Sequence, residues 1–225
     1  MRKLIFLTAL LFLVNLYADS NTNKVLIYES DFNTDNFGKE TGFKGNWRPL
    51  GKKVKNGNKV HIENGALFLF HPKENKHPLG VFWSLEKGLC LTDVEVSAKF
   101  KIKENEELTL SFTGQNFSEN NNRIFLLNIN KDGCNFADAS VKGTRNSKKI
   151  EATISSDKWH NIRFVIQGEK CTVYLNDLPA ATLESKGMAC KKQTFKLGTK
   201  TSFLIDDLKI MSLAGEPAVL PNEKK

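Results

Sequence analysis

Residues 93–103 read Asp-Val-Glu-Val-Ser-Ala-Lys-Phe-Lys-Ile-Lys, and this stretch decides the fold class. Apolar side chains occupy every second position, and charged or hydroxyl side chains stand between them. Successive side chains of a β-strand point to opposite faces, whereas a helix would scatter these residues around its circumference. The stretch therefore predicts a strand with one face in a core and the other in water.

A hairpin follows further along the chain. Residues 160–167 and residues 171–175 both alternate apolar with polar side chains, and Gly168-Glu169 lies between them. A glycine at the first of two turn residues suits a type II′ turn, because glycine accepts a positive φ. Asn176-Asp177 ends the second strand, and we expect Leu178-Pro179 to continue that turn as a loop.

Short strands separated by Asn, Asp and Gly account for most of the remaining chain. The other strand candidates are residues 25–29, 59–62, 66–70, 81–85, 108–112, 123–130, 193–197 and 202–213. No convincing amphipathic helix and no internal repeat follows the first 18 residues. The sequence therefore predicts one all-β domain over residues 19–213 and a disordered C-terminal tail over residues 214–225.

The N-terminus has the layout of a secretory signal peptide. Arg2 and Lys3 precede an apolar run over residues 4–14, and Ala18 offers a cleavage point. The run is shorter than the ~20 apolar residues that cross a bilayer. We therefore expect residues 1–18 to be a cleaved signal, and the protein to be secreted or periplasmic with no membrane span after cleavage.

The net charge indicates which classes of partner to expect, and the cysteine content indicates disulfides. The net charge is +8, and it arises from dispersed lysines, which favours an anionic surface or an acidic polysaccharide over nucleic acid. The even number of cysteines in an exported chain predicts disulfides, and no Cys-x-x-Cys pair supports a zinc site. Four cysteines allow three pairings. We favour Cys171 with Cys190, and Cys90 with Cys134.

Three motifs in order carry a family resemblance: Trp159-His160-Asn161-Ile162, then Val173-Tyr174-Leu175-Asn176, and finally residues 205–210, Ile-Asp-Asp-Leu-Lys-Ile. This order resembles the concanavalin A-like lectin/glucanase superfamily, and within it the bacterial laminin-G-like and 3-keto-disaccharide hydrolase-like domains. The resemblance implies a two-sheet antiparallel jelly-roll sandwich whose closing strand lies beside the opening one. It also implies a concave sheet face that holds a saccharide, and a structural role for Trp159 over the core.

The sequence contains no secure catalytic motif. Retaining glucanases of the superfamily carry Glu-x-Asp-x-x-Glu on one strand, which aims carboxylates into one cleft. Here Asp93 and Glu95 have the first spacing, but Ala98 replaces the third carboxylate. We therefore expect a carbohydrate-binding domain. A glycoside hydrolase similar to the 3-keto-disaccharide hydrolases and an adhesion module with a protein partner are the alternatives.

The candidate ligand residues combine aromatic rings with hydrogen-bonding groups. Trp83 would face the ligand if its neighbour Phe82 enters the core, and a core position for Trp83 is equally open. Hydrogen bonds would come from the strand at residues 123–130, and histidines would form the rim of the site. These residues are Arg123, Asn128, Asn130, His71 and His77.

Two acidic groups raise the question of calcium. Asp206-Asp207 would supply the oxygen ligands that calcium prefers, or a carboxylate there would satisfy backbone donors at a bulge. The oxygen-rich residues Asp31, Asn33, Asp35 and Asn36 fit either a calcium loop or a solvated turn.

Overall fold

The chain folds into two antiparallel β-sheets packed face to face. The structure, a computed structural model, describes residues 24–33, 47–49, 57–72, 79–85, 89–103, 105–114, 123–139 and 146–219. No described segment forms an α-helix, and no described helix is long and apolar enough to span a bilayer. The predicted all-β sandwich is confirmed. The predicted signal peptide lies outside the described residues.

The first sheet contains eight strands. They are β1 Val25–Ser30, β3 Lys59–Glu63, β4 Ala66–Phe70, β7 Val94–Lys101, β12 His160–Gln167, β13 Lys170–Leu175, β14 Leu178–Glu184 and β16 Ser202–Ser212. Their order is β14-β13-β12-β7-β16-β4-β3, and β1 pairs with the C-terminal part of β16. The closing strand therefore lies beside the opening one, as the resemblance implied.

The second sheet contains seven strands. They are β2 Trp47–Pro49, β5 Leu79–Ser84, β8 Leu108–Thr113, β9 Arg123–Asn130, β10 Gly133–Ala139, β11 Asn146–Glu151 and β15 Thr194–Thr199. Their order is β11-β10-β9-β8-β15-β5-β2. A short pair, β6 Leu89–Cys90 and β17 Ala218–Val219, and a 3-10 helix at Lys186–Ala189 complete the described structure.

Turn chemistry fixes the strand registers. Asn64 and Gly65 have φ of 52° and 78° between β3 and β4, the two positive angles of a type I′ turn. Asn176 and Asp177 do the same between β13 and β14, with φ of 50° and 67°. At the β12–β13 hairpin Gly168 alone is positive, at 55°, which confirms the predicted type II′ turn.

Three segments differ from expectation. Leu178-Pro179 begins β14 instead of a loop; β14 is an edge strand, so the missing proline N–H costs the sheet nothing there. Strands β10 and β11 were not predicted, because Asn, Asp and Ser interrupt their apolar pattern. Within the expected tail, Ala218–Val219 pairs with β6.

The two sheets meet through a cluster of phenylalanine rings. Phe164 of the first sheet lies 4.5 Å from Phe125 and 6.2 Å from Phe112, between ring centroids. Both partners belong to the second sheet, so this contact joins the layers. Trp159 lies outside the core: it is 43% exposed and contacts the Lys101 ammonium, in contrast to the core-packing role that the resemblance implied.

The predicted disulfides are wrong, because all four cysteines are free. Cys134 points into the core from the second sheet and Cys171 from the first, whereas Cys190 is exposed after the 3-10 helix. Cys171 is buried whereas its predicted partner Cys190 is exposed, and Cys90 and Cys134 are both buried but are not bonded to each other. Burial raises the pKa of Cys134 to about 12 and raises the pKa of Cys90 and Cys171.

Thiol counting tests this arrangement. In the folded protein a thiol-reactive reagent should label Cys190 rapidly and the three buried cysteines slowly. In denaturant without reductant all four should react. A count of two or fewer in denaturant would establish a disulfide and contradict the structure, and Cys190→Ser identifies the fast thiol.

Lys192 is a buried cation that ties three segments together. Its ammonium donates hydrogen bonds to the carbonyl oxygens of Met188 at 2.7 Å and Cys190 at 3.0 Å, and also to that of Thr92. The side chain is fully buried. These bonds attach the 3-10 helix to the segment before β7, and they satisfy carbonyls that no strand ladder uses.

Lys192→Met should lower the free energy of unfolding by about 3 kcal/mol, because three buried carbonyls lose their donor. The adjacent Lys191 is exposed, so Lys191→Met is the matched control and should change stability by less than about 0.5 kcal/mol. Urea denaturation measures both. Equal stability of the two variants would contradict the structural role of Lys192.

Candidate functional site

The outward face of the first sheet is a surface of mutually neutralised charges. Lys99 pairs with Asp207 at 2.6 Å, and Lys209 pairs with Glu29. Arg163 lies 3.6 Å from the centre of the Tyr174 ring and 3.8 Å from the Glu95 carboxylate. A shallow depression of about 300 Å³ lies among these residues. Each of these cations already has a carboxylate partner, which is typical of a solvated outer face.

The outward face of the second sheet is different, and we call it the hydroxyl face. Strand alternation turns Leu110 and Phe112 of β8, Phe195 and Leu197 of β15, and Leu127 of β9 toward the core. The intervening side chains point outward. The hydroxyl face comprises Ser84, Thr109, Ser111, Thr113, Asn128, Thr194 and Lys196, with Phe82 and Arg123 beside them.

The hydroxyl face is shielded although it lies outside the core cluster. Ser111, Thr113 and Lys196 are 2%, 0% and 7% exposed. Leu126 and Ala137 lie beside Ser111 in register and are equally buried, yet neither belongs to the core cluster. Polar groups this deep need hydrogen-bond partners, because water does not reach them freely.

Most of these hydroxyls bond within the face. Ser84 Oγ lies 3.1 Å from Thr194 Oγ1, and Thr109 Oγ1 donates to Asn128 Oδ1 at 2.9 Å. The second bond leaves the Asn128 amide nitrogen without a partner among the described residues. Thr113 Oγ1 is the exception: it is buried, and the described part of the chain offers it no partner. A ligand hydroxyl would satisfy it.

Two cations lie on this face. Lys196 is between Phe82 of β5 and Ser111 of β8 in register. A bulge at Ile124 sets Arg123 opposite Thr113, and residues paired across strands share a face. Burial, followed by the charge of Arg123, lowers the pKa of Lys196 to about 7.

Among the residues that the structure describes, the centre of this face carries no carboxylate. Among the described residues of β5, β15, β8, β9 and β10, no outward side chain is Asp or Glu. Asp138 of β10 points inward and accepts bonds from Ser185 Oγ and the Gly187 amide. Glycoside hydrolysis by the common route needs two carboxylates beside the bond, and the described part of this floor supplies neither.

A ligand role for Trp83 required Phe82 in the core and Trp83 on the outward face. The structure shows the reverse. Trp83 lies in the core, and its ring centroid is 5.6 Å from that of Tyr28. Phe82 is half-buried on the outward face. Alternation predicted that the two would face apart, but the register of β5 against β15 decides which one enters the core.

The other residues predicted to bind the ligand do not lie together in the structure. Arg123 and Asn128 lie on the hydroxyl face, as their strand suggested. Asn130 accepts a bond from the Asp132 amide and caps the β9–β10 turn. His71 is buried and its ring contacts Asn58 at 2.9 Å, which is a structural role, and His77 lies outside the described residues.

Asp206 and Asp207 form a bulge in β16, the structural alternative stated for them. Asp207 has φ of 47°, its amide donates to Asp206 Oδ1 at 2.8 Å, and its carboxylate pairs with Lys99. Burial raises the pKa of Asp206. Asp31 accepts a bond from the Asn33 amide in a tight turn. No cluster of three His, Cys, Asp or Glu that suits a metal occurs in the described ranges.

Sequence reasoning missed Lys196 and Thr113. Lysine and threonine within a strand are typical of a solvated face, and nothing in their neighbours indicates burial on the outer side. Lys196 stands between Phe195 and Leu197, which is the alternation of any strand with one face in water.

Lys196 should make stability depend on pH. The pKa of Lys196 is about 7 in the folded protein, whereas the pKa of a lysine in an unfolded chain is about 10.4. The unfolded state thus binds more protons in this window, so the Lys196 contribution to stability rises with pH. Between about pH 7 and 9, the free energy of unfolding of the wild type should rise by about 1–2 kcal/mol relative to that of Lys196→Met. Urea denaturation at each pH measures both. A pH-independent difference would show that the Lys196 pKa is not lowered.

Comparison with known proteins supplies a fold and no closer relative. Neither a protein-family model nor a curated protein matches the chain. Solved structures do match: a non-specific endo-β-1,3(4)-glucanase from family GH16 has a TM-score of 0.63 and 9% identity over 85% of this chain and 92% of its own. A laminarinase from Flavobacterium sp. UMI-01 has a TM-score of 0.62 and 15% identity over 83% of this chain and 99% of its own.

Binding modules and larger enzymes share the same framework. The carbohydrate-binding module CBM66 from Bacillus subtilis has a TM-score of 0.56 and 12% identity over 74% of this chain and 96% of its own. The chain spans 17% of a sialidase that it also matches, with a TM-score of 0.55 and 13% identity over 74% of this chain. The suggested likeness to 3-keto-disaccharide hydrolases is not among these findings. The chain has the two-sheet antiparallel jelly-roll fold of this carbohydrate-binding module and these glucanases, which is the fold that the resemblance to concanavalin A-like domains implied.

Proposed function

We propose that the protein binds a saccharide on the hydroxyl face of the second sheet. One observation carries the proposal: Thr113, at the end of the central strand β8, has a buried hydroxyl with no partner in the described structure. A buried unsatisfied hydroxyl costs about 1–3 kcal/mol, and a ligand that bonds to it recovers that cost. In this proposal the hydroxyl face is the floor of the binding cleft.

The surrounding groups fit a sugar. Ring C–H faces of a saccharide stack on aromatic side chains, and Phe82 lies half-buried beside Lys196. Sugar hydroxyls need donors and acceptors at fixed positions, which the Asn128 amide and the Thr113 hydroxyl offer. Strands hold these groups more rigidly than loops would.

Binding is better supported than hydrolysis. The described centre of the face has no carboxylate, and the solved structures that share this fold include both binding modules and glucanases. A shared fold does not transfer an activity. Export by the predicted signal peptide would bring such a module to polysaccharides outside the cell.

A protein-binding role has less support. The exposed large apolar side chains of the described residues lie on separate elements, on β1, before β12, on β14 and on β17. They are Leu26, Trp159, Leu178 and Val219. Scattered apolar residues are normal on a soluble surface, whereas an adhesion site would be a contiguous patch.

Thr113→Val is the sharpest test, because valine keeps the shape and removes the hydroxyl. We expect it to raise the unfolding free energy by about 1 kcal/mol, since the unsatisfied group is gone. It should weaken binding of the best ligand from a glycan array about five- to thirtyfold, measured by calorimetry.

Thr172→Val is the matched control. Thr172 lies on the outward face of the first sheet, where its Oγ1 is 3.1 Å from that of Thr182. This variant should leave saccharide affinity unchanged. The proposal fails if no glycan binds, or if Thr113→Val binds as tightly as wild type.

A further inference from the structure

We propose that a row of rings on the outward face of the first sheet is a second saccharide contact, and that it binds a polysaccharide chain lying across the strands. We call it the ring row. It goes beyond the proposed function, because the two sheets pack face to face and the hydroxyl face is on the opposite side of the sandwich. The ring row consists of His61, Phe68, Phe70, Leu204 and Trp159, with the lysines Lys59 and Lys101 beside the rings.

Strand alternation turns the centre of the ring row away from the core. The residues on either side of Phe68 and of Leu204 belong to the core cluster, so these two side chains point outward, and Phe70 follows Phe68 on the same face. The core neighbours are Leu67, Leu69, Phe203 and Ile205. The partly buried residues that pack against the core cluster include none of the three outward side chains. All three are half-buried, so part of each remains accessible to a ligand.

The strand register makes the ring row continuous from β3 to β12. Leu204 is paired with Phe68 on one side and with Lys101 on the other, and Phe68 is paired with His61. The Lys101 ammonium lies 5.5 Å from the centre of the Trp159 ring. With about 4.8 Å between neighbouring strands, the row is roughly 19 Å long, which suits an extended chain of several sugar units.

Contacts among the side chains hold the rings in place. The Phe68 ring centroid is 5.1 Å from that of His61 in an edge-on arrangement, and 6.4 Å from that of Phe70 in a stacked one. The Lys59 ammonium lies 5.8 Å from the centre of the Phe70 ring. Rings that are already fixed on strands lose little freedom when a ligand stacks on them, so less of the binding free energy is lost in ordering the site.

A saccharide fits this combination of groups better than a protein surface does. Sugar rings present C–H faces to aromatic side chains, and their hydroxyls need donors beside the rings. Lys101 beside Trp159 and Lys59 beside Phe70 supply such donors, and neither ammonium forms an ion pair with a described residue. Lysine is depleted from protein interfaces, whereas Lys101 lies within the row between Leu204 and Trp159. The ring row therefore differs from the bare apolar patch of an adhesion site.

Co-sedimentation of the full chain with insoluble curdlan, chitin and cellulose tests the inference. We expect at least one of these polysaccharides to retain the wild type. Trp159→Leu and Phe68→Leu should each weaken that binding about three- to tenfold, because leucine keeps the apolar bulk but removes the ring on which a sugar stacks.

Leu178→Ala is the matched control. Leu178 is 71% exposed on the edge strand β14, outside the ring row, so this variant should bind as tightly as wild type. Thermal unfolding of each variant confirms that it is folded. Trp159 is 43% exposed and lies outside the core cluster, so Trp159→Leu gives a folded variant even if Phe68→Leu does not.

The outcomes separate this inference from the proposed function. Trp159→Leu should weaken retention by the same factor in the wild type and in Thr113→Val, because the two residues lie on opposite sides of the sandwich. If Thr113→Val binds oligosaccharides as tightly as wild type, the hydroxyl face fails as a site, and the effect of Trp159→Leu on retention still identifies the ring row. If no polysaccharide retains the wild type, or if both leucine variants are retained as well as wild type, the ring row is not a saccharide contact.

Discussion

The contact between Phe164 and the rings of Phe125 and Phe112 is the interaction on which the rest of the structure depends. It joins the centre of β12 to the centres of β9 and β8. Because side chains alternate along a strand, fixing these rings inward fixes which neighbours point outward. A slip of one residue in β8 would bury Ser111 and Thr113 among phenylalanines and expose Leu110, so the core determines the composition of the hydroxyl face.

Strands and turns could be predicted from the sequence where they depend on residues that are close together in the chain. The alternation over residues 93–103 and the Asn-Gly and Gly-Glu turns act over two to four residues, so they appear without knowledge of the partner strands. Strand β10 was missed because Asn135 and Asp138 interrupt the pattern, and Asp138 is stabilised by Ser185 and Gly187, which are distant in sequence.

Only part of the candidate site could be predicted from the sequence, because the rest depends on residues that are distant in sequence. The strand at residues 123–130 was expected to supply ligand groups, and it places Arg123 and Asn128 on the hydroxyl face. Whether Phe82 or Trp83 enters the core depends on the pairing of β5 with β15, which the sequence does not encode locally. Free cysteines could not be foreseen either, because pairing depends on where the fold puts each thiol.

The two buried lysines differ in what surrounds them. Lys192 donates to three backbone carbonyls, so its charge is used in holding the 3-10 helix. Lys196 lies beside Phe82 and Ser111 on an outward face that already holds Arg123. The first arrangement is typical of structure. The second places a poorly solvated cation on an outward face, where burial and the charge of Arg123 lower its pKa to about 7.

The central claim is the location of the binding face, and amide chemical-shift mapping tests it most directly. Labelled full chain would be titrated with the saccharide that binds most tightly on the glycan array. The account predicts the largest shifts on β8, β15 and β9, around Thr113, Lys196 and Asn128. Shifts confined to β7, β12 and β16, near the ion pairs of the first sheet, would contradict it.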